Sequence, residues 1–362
     1  MKRAFPFFAF LLFSLLLSGC ASGYTTSSWP GVVVQGETAY LAYHAHVYAV
    51  NWQSGGEIWR YPKEADAARS FYAAPVLTTD GQQLIVSGYD NILYSLDPAT
   101  GVEKWRFTQA KNRFVGEPLA TEQGIYAPNS DGNLYALNFN GAPLWPAPFQ
   151  TERILWARPS TNAECECLYV AAMDHHIYAL NPADGSLIWK SEALGGAVAS
   201  APTYSEGRLY VGTFARQLVA VDSTTGKLIG QPFSSQGWVW GSPALNAGRL
   251  YFGDLSGSFY ILNADGFASV NTIPGEAPII AAPLVDNETV YVVSEGGSDG
   301  GVLQALDLNG NAQWKQTLKG KLYTTPVLAD SDTLLIAITD GDAALAAFNR
   351  SGSPKWTFIP QK

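Results

Sequence analysis

Basic side chains are scarce in this sequence. Twenty-two Lys and Arg stand against 31 Asp and Glu, and charged residues of both signs make up 15% of the chain. Sequence-blind nucleic-acid binding runs on clustered Lys and Arg meeting phosphates, so that class of function is excluded. Sulfur and imidazole are scarcer still, with 3 Cys, 2 Met and 4 His. A zinc site needs four such ligands at workable spacing. Cys165-Glu166-Cys167 supplies two, and the histidines fall in separate places, His44 with His46 and His175 with His176. No metal site follows. Exported chains tend to oxidise their thiols, which leaves Cys165 and Cys167 as either an intramolecular clip or two reduced thiols. Also missing are a Gly-x-Ser-x-Gly elbow, a P-loop, a dinucleotide fingerprint and a His-Glu-x-x-His helix. No catalytic residue and no cofactor are therefore assigned. Past the N-terminus there is no apolar run of about 18 residues, so no transmembrane helix is expected.

What is present begins with an export signal. Lys2 and Arg3 give a positive start, and Phe5 to Leu17 form an apolar run broken at Pro6 and Ser14. That run is too short to span a membrane comfortably. It ends in Leu17-Ser18-Gly19-Cys20, which resembles the lipobox of bacterial lipoproteins. The resemblance implies cleavage before Cys20 and a lipid on its thiol. Residues 1–19 read as signal peptide and 20–28 as a tether. Without Lys2 and Arg3 the balance is 20 bases to 31 acids, a charge that favours a soluble, monomeric domain behind its anchor.

The remaining residues, 29–360, repeat. Pro30, Pro75, Pro118, Pro159, Pro202, Pro243, Pro283 and Pro326 each open an apolar run, 40 to 45 residues apart. A small-apolar-Asp/Asn triplet, as in Ala136-Leu137-Asn138 and Ala179-Leu180-Asn181, keeps step with them. Each unit holds four short strand-like stretches. In the fifth these are Pro202-Thr203-Tyr204, Leu209 to Gly212, Leu218 to Asp222 and a stretch near Leu228, separated by turns such as Glu206-Gly207 and Thr225-Gly226. One such sheet cannot bury both faces, and neighbouring sheets packed face to face can. The expected fold is all-β, an eight-bladed β-propeller of four-stranded antiparallel blades, each contiguous in sequence. Trp59, Trp105, Trp145, Trp189, Trp314 and Trp356 recur near the outer strand as wedges between blades.

Ser95-Leu96-Asp97-Pro98-Ala99-Thr100-Gly101-Val102-Glu103-Lys104-Trp105 resembles the A-x-D-x-x-T-G-x-x-x-W repeat of the pyrroloquinoline-quinone-like propellers, and Ala179 to Trp189 follows it. Units five and six depart, with Gly230 and Ser269 read at the tryptophan position. Quinone-dependent dehydrogenases of that superfamily carry long insertions, adjacent cysteines and calcium ligands, none of which is found here. An exported eight-unit propeller with a lipobox is instead similar to the BamB-like envelope lipoproteins. That likeness implies a non-catalytic scaffold for envelope proteins such as those of the β-barrel assembly machinery, with an outer-membrane location favoured by Ala21 after the lipidated cysteine. The alternatives are a propeller that binds or senses a ligand and, behind it, a quinone-dependent dehydrogenase.

Aromatics and arginines gather just upstream of the unit prolines, where the chain would enter the innermost strand. They are Arg69, Phe71, Tyr72, Arg113, Phe114, Arg153, Trp156, Arg158, Trp238, Trp240 and Tyr323. Blade geometry puts these segments on one face around the channel, beside the turns that carry the histidines. Arg, Trp and Tyr are the residues of binding hot spots, and a peptide or anionic ligand is the expected guest. The competing reading packs the aromatics between blades and pairs the arginines with acids such as Glu117. The glycine-rich Gly296–Gly301 stretch reads as a mobile loop.

Overall fold

The computed structural model describes residues 29–66, 68–162, 166–286, 288–297 and 300–361. Cys20, the expected export signal before it and Cys165 lie outside these. The described residues form eight four-stranded antiparallel sheets, and every sheet is made of four strands consecutive in the chain. The first blade runs β1 (Val32–Gln35), β2 (Thr38–Tyr43), β3 (His46–Asn51) and β4 (Glu57–Tyr61), from the channel outward. The last begins at Val327–Leu328 and ends at Pro354–Phe358. Among the described residues, no strand crosses from one end of the chain to complete the other end's sheet.

The period-2 side-chain alternation of a strand explains why the middle strands are buried on both faces. Tyr40, Ala42, Val47 and Ala49 pack toward blade 2, while Ala39, Leu41, Tyr48 and Val50 pack toward blade 8. The core is consequently split into eight clusters, one at each seam between neighbours.

Each wedge tryptophan reaches over the seam into the turn before the next blade's outer strand. Trp59, Trp105, Trp145, Trp189, Trp314 and Trp356 donate their indole N–H to the carbonyls of Pro98, Phe139, Pro182, Ser223, Arg350 and Trp52, at 2.8–3.1 Å. The ring lies flat on that turn's glycine. A Cβ on Gly185 would come within 2.7 Å of the Trp145 ring, and the backbone there has φ +75°, so glycine is required twice over. Seams 5–6 and 6–7 depart from the pattern. By strand register Asn271, paired with Ile261, holds the tryptophan position in blade 6, and Ser269 pairs one step away with Leu262. Asn271 Nδ2 donates 2.8 Å to the Asn309 carbonyl, doing the indole's polar task without its apolar area.

Gly296, Gly297, Gly300 and Gly301, expected in a mobile loop, lie instead in the strands Thr289–Gly297 and Gly300–Asp307, which pair Gly297 with Gly300. Ser298 and Asp299 lie outside the described residues. Cys167 is disulfide-bonded.

Candidate functional site

Each connection between blades crosses the channel face wedged between two turns. Phe71 N–H bonds the His44 carbonyl of blade 1, while Tyr89 N–H of blade 2 bonds Ser70. A turn carboxylate clamps several of these connections from below. Asp131 accepts from the Tyr135 hydroxyl and from Lys111 N–H, Asp174 from Tyr178 and Glu152 N–H, and Asp254 from Tyr260 and Gly237 N–H. The histidines serve the same structural end. His46 and His176 donate through Nδ1 to the carbonyls of Pro62 and Ser191 at the ends of their outer strands.

A fixed register along each connection decides which side chains face the channel. Four positions before the unit proline stand Phe71, Phe114, Leu155, Val198, Val239, Ile279 and Leu322, and all are buried between blades. Phe71 and Phe114, expected on the rim, are thus core residues at 0% exposure. One position later stand Tyr72, Val115, Trp156, Ala199, Trp240, Ile280 and Tyr323, and these ring the mouth of a central cavity of about 970 Å³. Large rings sit on blades 2, 4, 6 and 8, and small side chains on 3, 5 and 7.

The sequence reading missed Trp29, which occupies the centre of this mouth. Its ring centroid lies 5.7 Å from Tyr72, 5.3 Å from Trp240 and 5.4 Å from Tyr323. Tyr72 in turn stacks on Tyr89 at 5.2 Å, and the Arg113 guanidinium covers Tyr89 at 4.2 Å. On the far side Trp240 meets Trp156 at 6.2 Å and Phe214 at 4.9 Å, and Phe214 stacks on Trp238 at 5.1 Å. An unbroken belt of π-surface therefore crosses the mouth from blade 2 to blade 6, opposite members of an eightfold ring. Trp238 ends the belt 48% exposed. Trp29 stands directly before its own proline, out of step with the other mouth residues, so the repeat spacing gave no signal for it.

The arginines divide. Arg69 turns into the seam between blades 1 and 2, pairing with Asp66 at 3.2 Å and lying over Tyr61 and Tyr94. It does not join the mouth. Arg158 lines the cavity and pairs with Glu117 at 3.1 Å. Arg113 and Arg153 are exposed, and among the described residues neither enters an ion pair. Burial pushes the Glu117 carboxyl above its ordinary pKa, and Arg158 opposes that shift. A raised folded-state pKa means that the fold gains stability when Glu117 is protonated. That gain is complete below the unfolded value and disappears as pH rises through the folded one. Glu117→Gln is expected to lack the parent's loss of stability as pH rises from about 4, the ordinary carboxylate value, so that the melting temperature of the variant climbs relative to that of the parent with increasing pH. Parallel pH curves for the two proteins would contradict this.

Could the cavity hold a calcium-bound quinone? Calcium asks for six to eight oxygen ligands. The lining supplies one carboxylate, Glu117, and Arg158 already occupies it. The donor set does not fit.

The family model described as outer membrane protein assembly factor BamB matches residues 21–162, 140–231 and 230–357. No curated protein matches the sequence. Among solved structures, BamB from Moraxella catarrhalis superposes with a TM-score of 0.73 at 17% identity, covering 88% of this chain and 96% of that one. The computationally designed Ika8 protein gives 0.71 at 10% identity, covering 92% and 98%. At these identities the superpositions speak for the fold.

Proposed function

We propose, from the premise that the chain belongs to the family described as outer membrane protein assembly factor BamB, that it is a non-catalytic scaffold of the cell envelope. In this reading it is exported, held to the outer membrane by a lipid on Cys20, and presents its channel face to assembly-machinery proteins. The observation that carries the proposal is the aromatic belt, which ends at one side in exposed Trp238 and at the other in Tyr89 covered by exposed Arg113. Rigid aromatic surface gives contact area at little cost in side-chain entropy, and guanidinium groups add paired donors for carboxylates. Such a face suits a protein partner.

The test is capture from the organism's own envelope with the propeller as bait. The parent is expected to retain barrel-assembly subunits, and Arg153→Ala with Trp238→Ala to weaken retention by about 1–2 kcal/mol or more. Equal capture by parent and double variant would overturn the assignment of this face. Cys20→Ser is expected to move the protein from the membrane to the soluble fraction, and unchanged partitioning would remove the anchor from the reading. A second reading, a binder of small anionic molecules, is favoured by the cavity, whose about 970 Å³ is of ligand-binding size and which Arg158 lines.

A further inference from the structure

Trp29 contributes to none of the eight seam clusters that hold the ring together. The ring's grip on the chain starts one residue later. Thr324 Oγ1 donates 2.7 Å to the Pro30 carbonyl, and Ala42 N–H reaches the Gly31 carbonyl at 3.3 Å. Gly31 lies so close to Ala74 that a Cβ there would fall 2.4 Å from the Ala74 Cβ. Trp29 itself is seated by ring contacts to Tyr72, Trp240 and Tyr323, which come from three separate connections.

We propose that the aromatic mouth is a receptor for an aromatic side chain borne on an extended peptide, and that Trp29 is its resident occupant. The chain thus shows on itself what the site takes: an indole enclosed by three rings. Tyr323 is preset for this, since its hydroxyl donates 3.0 Å to Glu295 and fixes the ring's direction. Between the large rings the mouth is lined by the aliphatic residues Val115, Ala199 and Ile280. A guest that displaces Trp29 gains its cage and gives up nothing in the seams. This inference deepens the scaffold reading by naming the chemistry of the partner.

The probe is a fluorescein-labelled synthetic peptide with the sequence of residues 24–31, titrated against the mature chain by anisotropy. A tethered occupant competes at an effective concentration in the millimolar range, so Trp29→Ala is expected to tighten peptide binding by about tenfold. The same peptide with its tryptophan replaced by alanine is expected not to bind. Adding Trp240→Ala to Trp29→Ala is expected to remove the gain. Tyr323→Ala serves the same purpose should the Trp240 change disturb folding, judged by circular dichroism. Equal binding to parent and Trp29→Ala, or equal binding of the alanine peptide, would overturn the proposal. Failure of envelope capture alongside a positive titration counts against the scaffold reading alone.

Discussion

Trp145→Ala is expected to lower the stability of the ring by about 3–5 kcal/mol, in the range for deleting a buried large aromatic. Trp145 is 4% exposed, the most enclosed of the six wedges that reach a neighbouring turn. Its ring covers Gly185, and its indole N–H donates 2.9 Å to the Pro182 carbonyl. That carbonyl also accepts from the Tyr126 hydroxyl at 2.9 Å, so the variant leaves it satisfied. The loss is therefore one of apolar burial and of the cavity left behind, not of an orphaned polar group. The check is a urea unfolding midpoint at unchanged slope. A midpoint within error of the parent would mean that the seam collapses to fill the space. Gly185→Val is expected to disturb the same seam from the other side, because it drives a branched side chain into the ring at positive φ.

The blades were legible because two kinds of residue recur for steric reasons. The prolines mark where the chain enters the inner strand, and the tryptophans mark where a ring needs a glycine beneath it. Where a blade drops the tryptophan, spacing and pairing can part: in blade 5 the spacing leads to Gly230, whereas strand pairing sets Ile229 opposite Ala220. In blade 6 both lead to Asn271, and the expectation of Ser269 is a miscount of the same spacing. The mouth was half legible. Tyr72, Trp156, Trp240 and Tyr323 were found among the aromatics near each proline, but Phe71 and Phe114 came with them. Adjacent residues in an extended connection point opposite ways, and only the register relative to the proline separates mouth from core. Applying that register to all seven connections would have sorted them without coordinates. The recurring Asp-x-x-x-Tyr of Asp90–Tyr94, Asp131–Tyr135 and Asp174–Tyr178 is equally visible in the sequence. In each case the tyrosine hydroxyl reaches back to the turn carboxylate. Trp29 was not legible at all. Its role depends on closure of the ring, which brings blades 2, 6 and 8 around a residue that precedes blade 1.

Leu345→Ala is expected to cost about 2–5 kcal/mol, the range for a buried leucine, and to open the ring at one place. Leu345 is fully buried in the cluster that joins blade 8 to blade 1, facing Leu41, Val50 and their neighbours. Seven of the eight seams are also bridged by the chain itself, since each blade runs on into the next. Among the described residues the seam between blades 8 and 1 has no such bridge, and no strand is shared across it. Side-chain packing and a few cross-seam bonds, such as Trp356 Nε1 to the Trp52 carbonyl and Thr324 Oγ1 to the Pro30 carbonyl, must hold it alone. Parting there turns a ring into an open arc without unfolding any blade, which is a smaller event than global unfolding. A matched change at a bridged seam, Leu180→Ala between blades 3 and 4, removes an equally buried leucine while the connection still holds the two sheets together. Amide hydrogen exchange separates the two. Leu345→Ala is expected to speed exchange mainly in Thr38–Asn51 and Thr333–Asn349, at denaturant concentrations where the other blades stay protected. Exchange that rises evenly around the ring in both variants would show that the closing seam opens no more easily than the rest, and that the eight blades unfold as one unit.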